Sequence, residues 1–156
     1  MRPVDPGHFR SVMGNFTTGV TVVTAAGPSG PVGMTAHAVA SLSLEPLLLL
    51  VAFDKTARTL QVVRDTKRFG VNVLAAGQAD LARLFASKAP EDAKFAGVAH
   101  TVHDGLPVID GAIAWVGCRL ERLVDGGDHT IGIGAVESAE AGEGRPLLWF
   151  RGGYRT

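Results

Sequence analysis

The stretch GGDHTIGIGAVES, beginning at Gly126, sets a carboxylate and an imidazole at the mouth of a strand. Asp128 and His129 directly precede an apolar alternation that would form a strand without them. His129, Ile131 and Ile133 share one face of that strand, and Thr130, Gly132 and Gly134 share the other. The glycine face leaves room for something to pack against the backbone. A histidine on a barrel rim can hydrogen-bond the edge of a planar ligand or donate a proton. A solvated turn histidine accounts for the same residues equally well.

A second candidate is FDKTARTL, Phe53 to Leu60, where an apolar strand gives way to a helix. A helix N-terminus offers unpaired N–H groups and partial positive charge. Thr56 and Thr59 add hydroxyls, and Lys55 and Arg58 add cations, which together make a phosphate cradle. The plainer reading is that Asp54 or Thr56 caps the helix while the cations are solvated. From this stretch alone the plainer reading leads.

The third candidate is GMTAHAVASLSLEP, Gly33 to Pro46, with few large side chains and several hydroxyls. Such a backbone can approach a flat aromatic ligand and hydrogen-bond its edge. A tightly packed barrel strand is the competing account. His100 and His103 have no nearby cysteine or paired carboxylate, so no metal site is expected. Cys118 sits on an apolar strand face and reads as inert core. No Ser-His-Asp pattern, P-loop or GxGxxG is present. Trp115 and Trp149 read as core or interface residues.

The elements that must position these residues are mostly strands. A helix is expected over Pro6 to Phe16, a strand over Thr18 to Ala26, and a turn over Gly27 to Pro31. A buried strand follows at Leu47 to Phe53. TARTLQVVRDTKRF reads as a helix with Ala57, Leu60 and Val63 on one face. Val71 to Ala76 reads as a strand, QADLARLFASK as a second helix, and SKAPEDAKFAG as a loop. Ala114, Val116, Cys118 and Leu120 point one way along the next strand while Arg119 and Glu121 point the other. Asp125 to Gly127 supplies a hairpin turn, the strand from His129 follows, and PLLWFRGGYR closes the chain. Strands do not alternate regularly with helices, so a barrel with peripheral helices is expected rather than a doubly wound sheet.

Size and composition limit what such a barrel does. The 156 residues suit one domain spanning 1–156, with a substantial core. The 20 glycines are about 13% of the chain, against about 7% in ordinary proteins, and their dispersal suggests tight turns and close backbone approach. Fifteen basic residues balance fifteen acidic ones, which excludes a global field for nucleic acid or an anionic membrane. One cysteine fits a reducing compartment, and MRPVDPGHFRSVMGNF has no apolar signal-like run, so a cytoplasmic location is expected. The apolar run PLLLLVAF is too short to span a membrane. A mean hydropathy of +0.21 suggests that part of the surface is covered by a partner chain.

Taken together, FRSVMGNFTTGVTVVTA, GMTAHAVASLSLEPLLLLVAFDKTARTL, FGVNVLA, Lys94–Phe95, GDHTIGIGAVE and PLLWFRGGYR resemble the small flavin reductases of two-component monooxygenases, such as those serving 4-hydroxyphenylacetate and phenol hydroxylases. The resemblance runs nearly end to end. It implies a mainly β fold, a homodimeric, Greek-key split antiparallel β-barrel with peripheral helices (the FMN-binding split barrel). It also implies binding of FMN or FAD and reduction by NADH or NADPH. Carried over by position, Gly33, Met34, Thr35, Ala36, His37, Ala38, Ser41, Leu42 and Ser43 border the flavin ring. Asp54, Lys55, Thr56, Arg58 and Thr59 hold its phosphate, and Lys94 and Phe95 reach its tail. Gly127, Asp128 and His129 form the family's Gly-Asp-His motif and, with Arg151 and Tyr154, serve the nicotinamide. Relatives often carry Ser-Ser-Phe where this chain has His37, Ala38 and Val39, so two hydroxyls are lost and an imidazole is gained.

The resemblance implies hydride transfer from reduced nicotinamide to flavin, with His129 placing the carboxamide or helping to neutralise reduced flavin. Reduced flavin then leaves for a separate monooxygenase. Two other readings share the scaffold: a flavin- or deazaflavin-dependent oxidoreductase acting on another small molecule, and a non-catalytic flavin-binding barrel. The Gly-Asp-His element speaks against the second, because storage needs no nicotinamide site.

Overall fold

The computed structural model describes residues 3–156. Helix α1 (Pro6–Met13) leads into β1 (Thr18–Gly19), β2 (Thr21–Gly27), β3 (Gly30–Ala36), β4 (Val39–Leu44) and β5 (Leu47–Asp54). Helix α2 (Arg58–Thr66), β6 (Arg68–Val73), α3 (Ala79–Ala86) and α4 (Glu91–Phe95) follow. The chain finishes with β7 (His100–His103), β8 (Leu106–Ile109), β9 (Ala114–Gly126), β10 (His129–Ala141), β11 (Leu148–Phe150) and β12 (Gly153–Arg155).

Seven of these strands form one antiparallel sheet in the order β3-β2-β6-β9-β10-β5-β4. β3 and β4 are consecutive in the chain yet lie at opposite edges, joined only by His37 and Ala38. Two residues bridge those edges only if the sheet is rolled so that they meet. The expected split antiparallel barrel with peripheral helices is therefore present. Its interior draws on five of the seven strands, with Val23 from β2, Ala36 from β3, Val51 and Phe53 from β5, Phe69 and Val71 from β6, and Cys118 from β9, while Val39 of β4 and Val136 of β10 pack against them partly buried. Phe53 and Phe69 meet edge to face at 5.8 Å. A second cluster lies outside the barrel, where Ala82 and Phe85 of α3 and Phe95 of α4 pack with Val20, Val22, Leu74 and Leu147.

Several expectations shift in detail. Helix α2 stops at Thr66, because Lys67 takes a left-handed conformation (φ 62°) and Phe69 is buried in β6. The hairpin turn falls on Gly127 and Asp128, later than expected, since Gly126 pairs with His129 across the β9–β10 ladder. Gly127 adopts φ +74°, as a tight two-residue turn requires. The stretch read as a loop, Ser87 to Gly97, contains α4. A single helical turn shows no periodicity; this one is fixed by tertiary bonds from Glu91 and Lys94 to β3.

The glycine face of β10 is not open. A Cβ on Gly132 would stand 2.7 Å from Cε2 of Phe53, and one on Gly134 would stand 2.6 Å from Cζ of Phe69. These glycines admit the barrel's own aromatic rings rather than a ligand.

Candidate functional site

The end of β5 and the start of β10 lie side by side. His129 pairs in register with Asp54, and the Lys55 N–H donates to the Asp128 carbonyl (3.1 Å). Two stretches far apart in sequence, Gly-Asp-His and FDKTARTL, are thus stitched together by the sheet. His129 Nδ1 lies 2.7 Å from Asp128 Oδ1. A carboxylate can only accept, so the proton of this bond is on Nδ1 and Nε2 is left for a ligand. The imidazole is 43% exposed, well placed on the rim to meet one.

Asp54 turns its carboxylate inward on its own loop. One oxygen accepts both the Thr56 hydroxyl (2.6 Å) and the Thr56 N–H (2.7 Å). These bonds, the hydroxyl foremost, hold the Asp54 carboxyl below the usual carboxylate range, with His129 and Lys88 nearby adding to the effect. Asp54 therefore braces the turn before α2 rather than capping the helix. The capping position is Ala57, which offers no side-chain bond. Thus the first N–H groups of α2 lack a side-chain acceptor and are available to an anion.

Beside this helix end lies a cavity of about 300 Å³ lined by Met34, Thr35, Asp54, Thr56, Ala57, Arg58, Phe85, Ala86 and Lys88. β3 supplies one wall, with the Thr35 hydroxyl anchored on the Ala82 carbonyl (2.6 Å), and the end of α3 supplies the other. Across Ala86 is a second cavity of about 400 Å³, walled by Arg83, Ser87, Trp149, Gly152, Gly153 and Tyr154. His37 stands at that end, 4.5 Å from the Trp149 ring and 6.4 Å from the Tyr154 ring. The Arg83 guanidinium lies over Tyr154 at 5.2 Å. Burial lowers the His37 pKa and raises that of Tyr154.

Other expected residues lie elsewhere. Lys55 pairs with Asp125. Lys94 is only 4% exposed and is held by Glu91 (3.0 Å) and by the carbonyls of Gly33 (3.3 Å) and Phe85 (3.5 Å). Phe95 is buried against Phe85 and His100. Gly33 faces Phe85 and gives its N–H to Glu91 (2.9 Å). Thr59 is buried in α2. Ala36 belongs to the barrel interior, while Ala38 links β3 to β4 and its carbonyl accepts the Ala52 N–H (2.9 Å). Ser41, Leu42 and Ser43 lie on β4, outside the first cavity, around a register shift against β5. Arg151 reaches away to Asn15, donating from Nε (3.0 Å) and Nη2 (2.8 Å). Conversely, Lys88, Ala57, Phe85, Ala86, Arg83 and Glu91 join the site or brace it without having been singled out. Lys88 and Glu91 sit in the stretch read as loop, where no periodicity marks them, whereas Arg83, Phe85 and Ala86 lie on α3 and Ala57 just before α2, in stretches read as helices whose pattern marks burial but not nearness to a site.

The donor set suits a phosphorylated planar cofactor: free helix N–H groups, cations at the cavity edge, and a small-residue strand backed by aromatic rings. Comparison with known proteins agrees. Residues 13–156 match the family described as flavin reductase like domain. The chain is 43% identical over 155 residues to the reductase subunit HsaB of a flavin-dependent monooxygenase from Mycobacterium tuberculosis, covering 97% of this chain and 82% of that protein. It superposes with TM-score 0.92 and 40% identity on the Streptomyces globisporus NADH:FAD oxidoreductase SgcE6 in complex with NAD and FAD fragments, covering 100% of this chain and 96% of that one. It also matches BorF, the flavin reductase component of a bacterial two-component tryptophan halogenase, with TM-score 0.89, 39% identity and 97% of each chain covered.

Proposed function

The chain belongs to the family of flavin reductase like domains and is an NAD(P)H-dependent flavin reductase, and we propose a division of labour among its residues. The flavin, FMN or FAD, lies along β3 with its phosphate toward the start of α2. NADH or NADPH enters over the Gly127–His129 turn. When both are bound, the flavin supplies the acceptor for a hydride from the reduced nicotinamide.

The chain's own task is orientation. Asp128 fixes the His129 ring so that Nε2 faces the incoming nicotinamide, where it bonds the carboxamide or meets negative charge developing on the reduced ring system. Thr35 and the first turn of α2 hold the other partner in place. One observation carries this reading: the sheet register sets His129 directly opposite Asp54, so the nicotinamide element and the phosphate element share one rim.

The reduced flavin is passed to a separate monooxygenase, as the reductase subunits among its relatives imply. A second copy of this chain completes the assembly, covering the exposed apolar side chains of α1 and β4. Anaerobic mixing with NADH or NADPH tests the reading, with rapid bleaching of added FMN or FAD expected. Replacing His129 with Ala should raise the nicotinamide KM about 3- to 10-fold, the worth of one hydrogen bond, and slow flavin reduction. Unchanged values in that variant would remove His129 from the site.

A further inference from the structure

We propose that the cavity between the β7–β8 hairpin and the paired ends of β9 and β10 is a second small-molecule site, for an uncharged aromatic ring that carries a hydroxyl group. It lies apart from the nucleotide rim. Ser138, on its wall, stands nine residues beyond His129 along β10, roughly 30 Å of strand. The cavity holds about 480 Å³, within the range of small-molecule sites. Among the described residues no lysine or arginine lines it, and Glu140 is the carboxylate on its wall. Such a lining repels an anionic nucleotide and favours a neutral occupant.

The strands build an aromatic bed here. Gly70 of β6 and Gly117 of β9 are paired in register, and the Trp115 indole lies over both. A Cβ on Gly70 would stand 2.9 Å from Trp115 Nε1, and one on Gly117 would stand 2.6 Å from Trp115 Cη2. The same Cβ on Gly117 would stand 2.6 Å from Ser138 Oγ, so bare backbone is what brings that hydroxyl to the indole edge. A register shift in β10 supplies the serine. Val136 packs against the barrel core and Ser138 lines the cavity, although residues two apart share a face in a regular strand. Across the cavity, the His103 ring meets the indole edge to face at 5.1 Å, and Val102 and Val108 of the hairpin add apolar surface.

Two polar atoms on this bed are unanswered. Trp115 Nε1 and Ser138 Oγ are both buried, and neither has a hydrogen-bond partner within the chain. A buried polar group left unpaired is costly, so each such group points to a missing partner. A serine hydroxyl both donates and accepts, and a phenolic hydroxyl answers it in either sense. The phenol's ring takes the edge-to-face contacts that indole and imidazole offer. It also covers Val102, which is 67% exposed at the cavity wall.

Fluorine NMR of 4-fluorophenol tests this on the full chain, with fluorobenzene as the ring that lacks a hydroxyl. Wild-type protein should bind 4-fluorophenol saturably, and equally well with and without saturating FMN. Ser138→Ala should weaken that binding about 3- to 10-fold, the worth of one hydrogen bond, and leave fluorobenzene unchanged. Ala112→Leu, which fills the cavity from another wall, should abolish binding of both. Without ligand, the urea midpoint of Ser138→Ala should equal or exceed that of wild type, because an unpaired buried hydroxyl has been removed. No saturable binding to wild type, displacement by FMN, or full binding to Ala112→Leu would overturn the proposal. So would unchanged 4-fluorophenol affinity in Ser138→Ala, which would leave that hydroxyl to bound water. A lowered urea midpoint in the same variant would also overturn it, by giving the hydroxyl to the fold.

Discussion

His37 stands in the stretch where the resemblance implies a hydroxyl-bearing pair, and its surroundings give it a measurable signature. Trp149 and Tyr154 pack against its ring, and burial pushes its pKa below the ordinary histidine value. A base with a depressed folded pKa is protonated more readily in the unfolded chain. Its contribution therefore destabilises the fold as pH drops below about 6.5, and levels off below the folded value. The urea midpoint should fall between about pH 7.5 and about pH 5.5, and His37→Phe should flatten that slope while keeping the ring contact with Trp149. Identical slopes in the two proteins would show that His37 does not feel its burial. The imidazole was legible in the sequence as an oddity. Its neighbours were not, because Trp149 and Tyr154 arrive from the far end of the chain.

At the level of elements, the two long strands β9 and β10 show where reading a sequence stops. The alternation of HTIGIGAV assigned the faces correctly: Thr130, Gly132 and Gly134 point inward, and His129, Ile131 and Ile133 lie on the other side. What fills the space beside a glycine is decided by the strand next door, and strand order is not written in any local pattern. Here β5 brings Phe53 to Gly132, while β6 and β9 bring Phe69 and Cys118 to Gly134. A Cβ at Gly134 would also stand 2.8 Å from the Cβ of Cys118, which is backbone-tethered and cannot move aside. Gly134→Ala should cost about 1–3 kcal/mol as overpacking, read as a lower urea midpoint at an unchanged m-value. Flavin affinity per folded molecule should be retained, because this face of β10 points into the barrel. A loss of flavin binding without loss of stability would return these glycines to the site. Helix α4 escaped notice for a related reason: its five residues are held by Glu91 and Lys94 reaching β3, not by any helical repeat.

For the molecule as a whole, the distribution of apolar surface argues for a second copy. α1 has no buried residue, although Phe9, Val12, Met13 and the following Phe16 are apolar. A helix of eight residues is marginal in water without tertiary packing, so this one is missing the surface it was built to meet. β4 ends the seven-stranded sheet with only β5 as a partner, and Leu42, Leu44 and Leu47 are exposed there, Leu44 at 82%. An apolar sheet edge of this kind invites aggregation unless a specific partner covers it. A homodimer that covered both features would leave the His129 rim, on the other flank of β5, open to the nucleotides. Wild-type protein should sediment at about twice 16.3 kDa. Leu44→Lys should shift it toward the single-chain mass, and the Phe9→Glu, Phe16→Glu double variant should do the same if the α1 face belongs to the interface. A wild-type chain that sediments at the mass of one copy would leave these faces to a different partner, with the monooxygenase that receives reduced flavin the first to test by co-sedimentation.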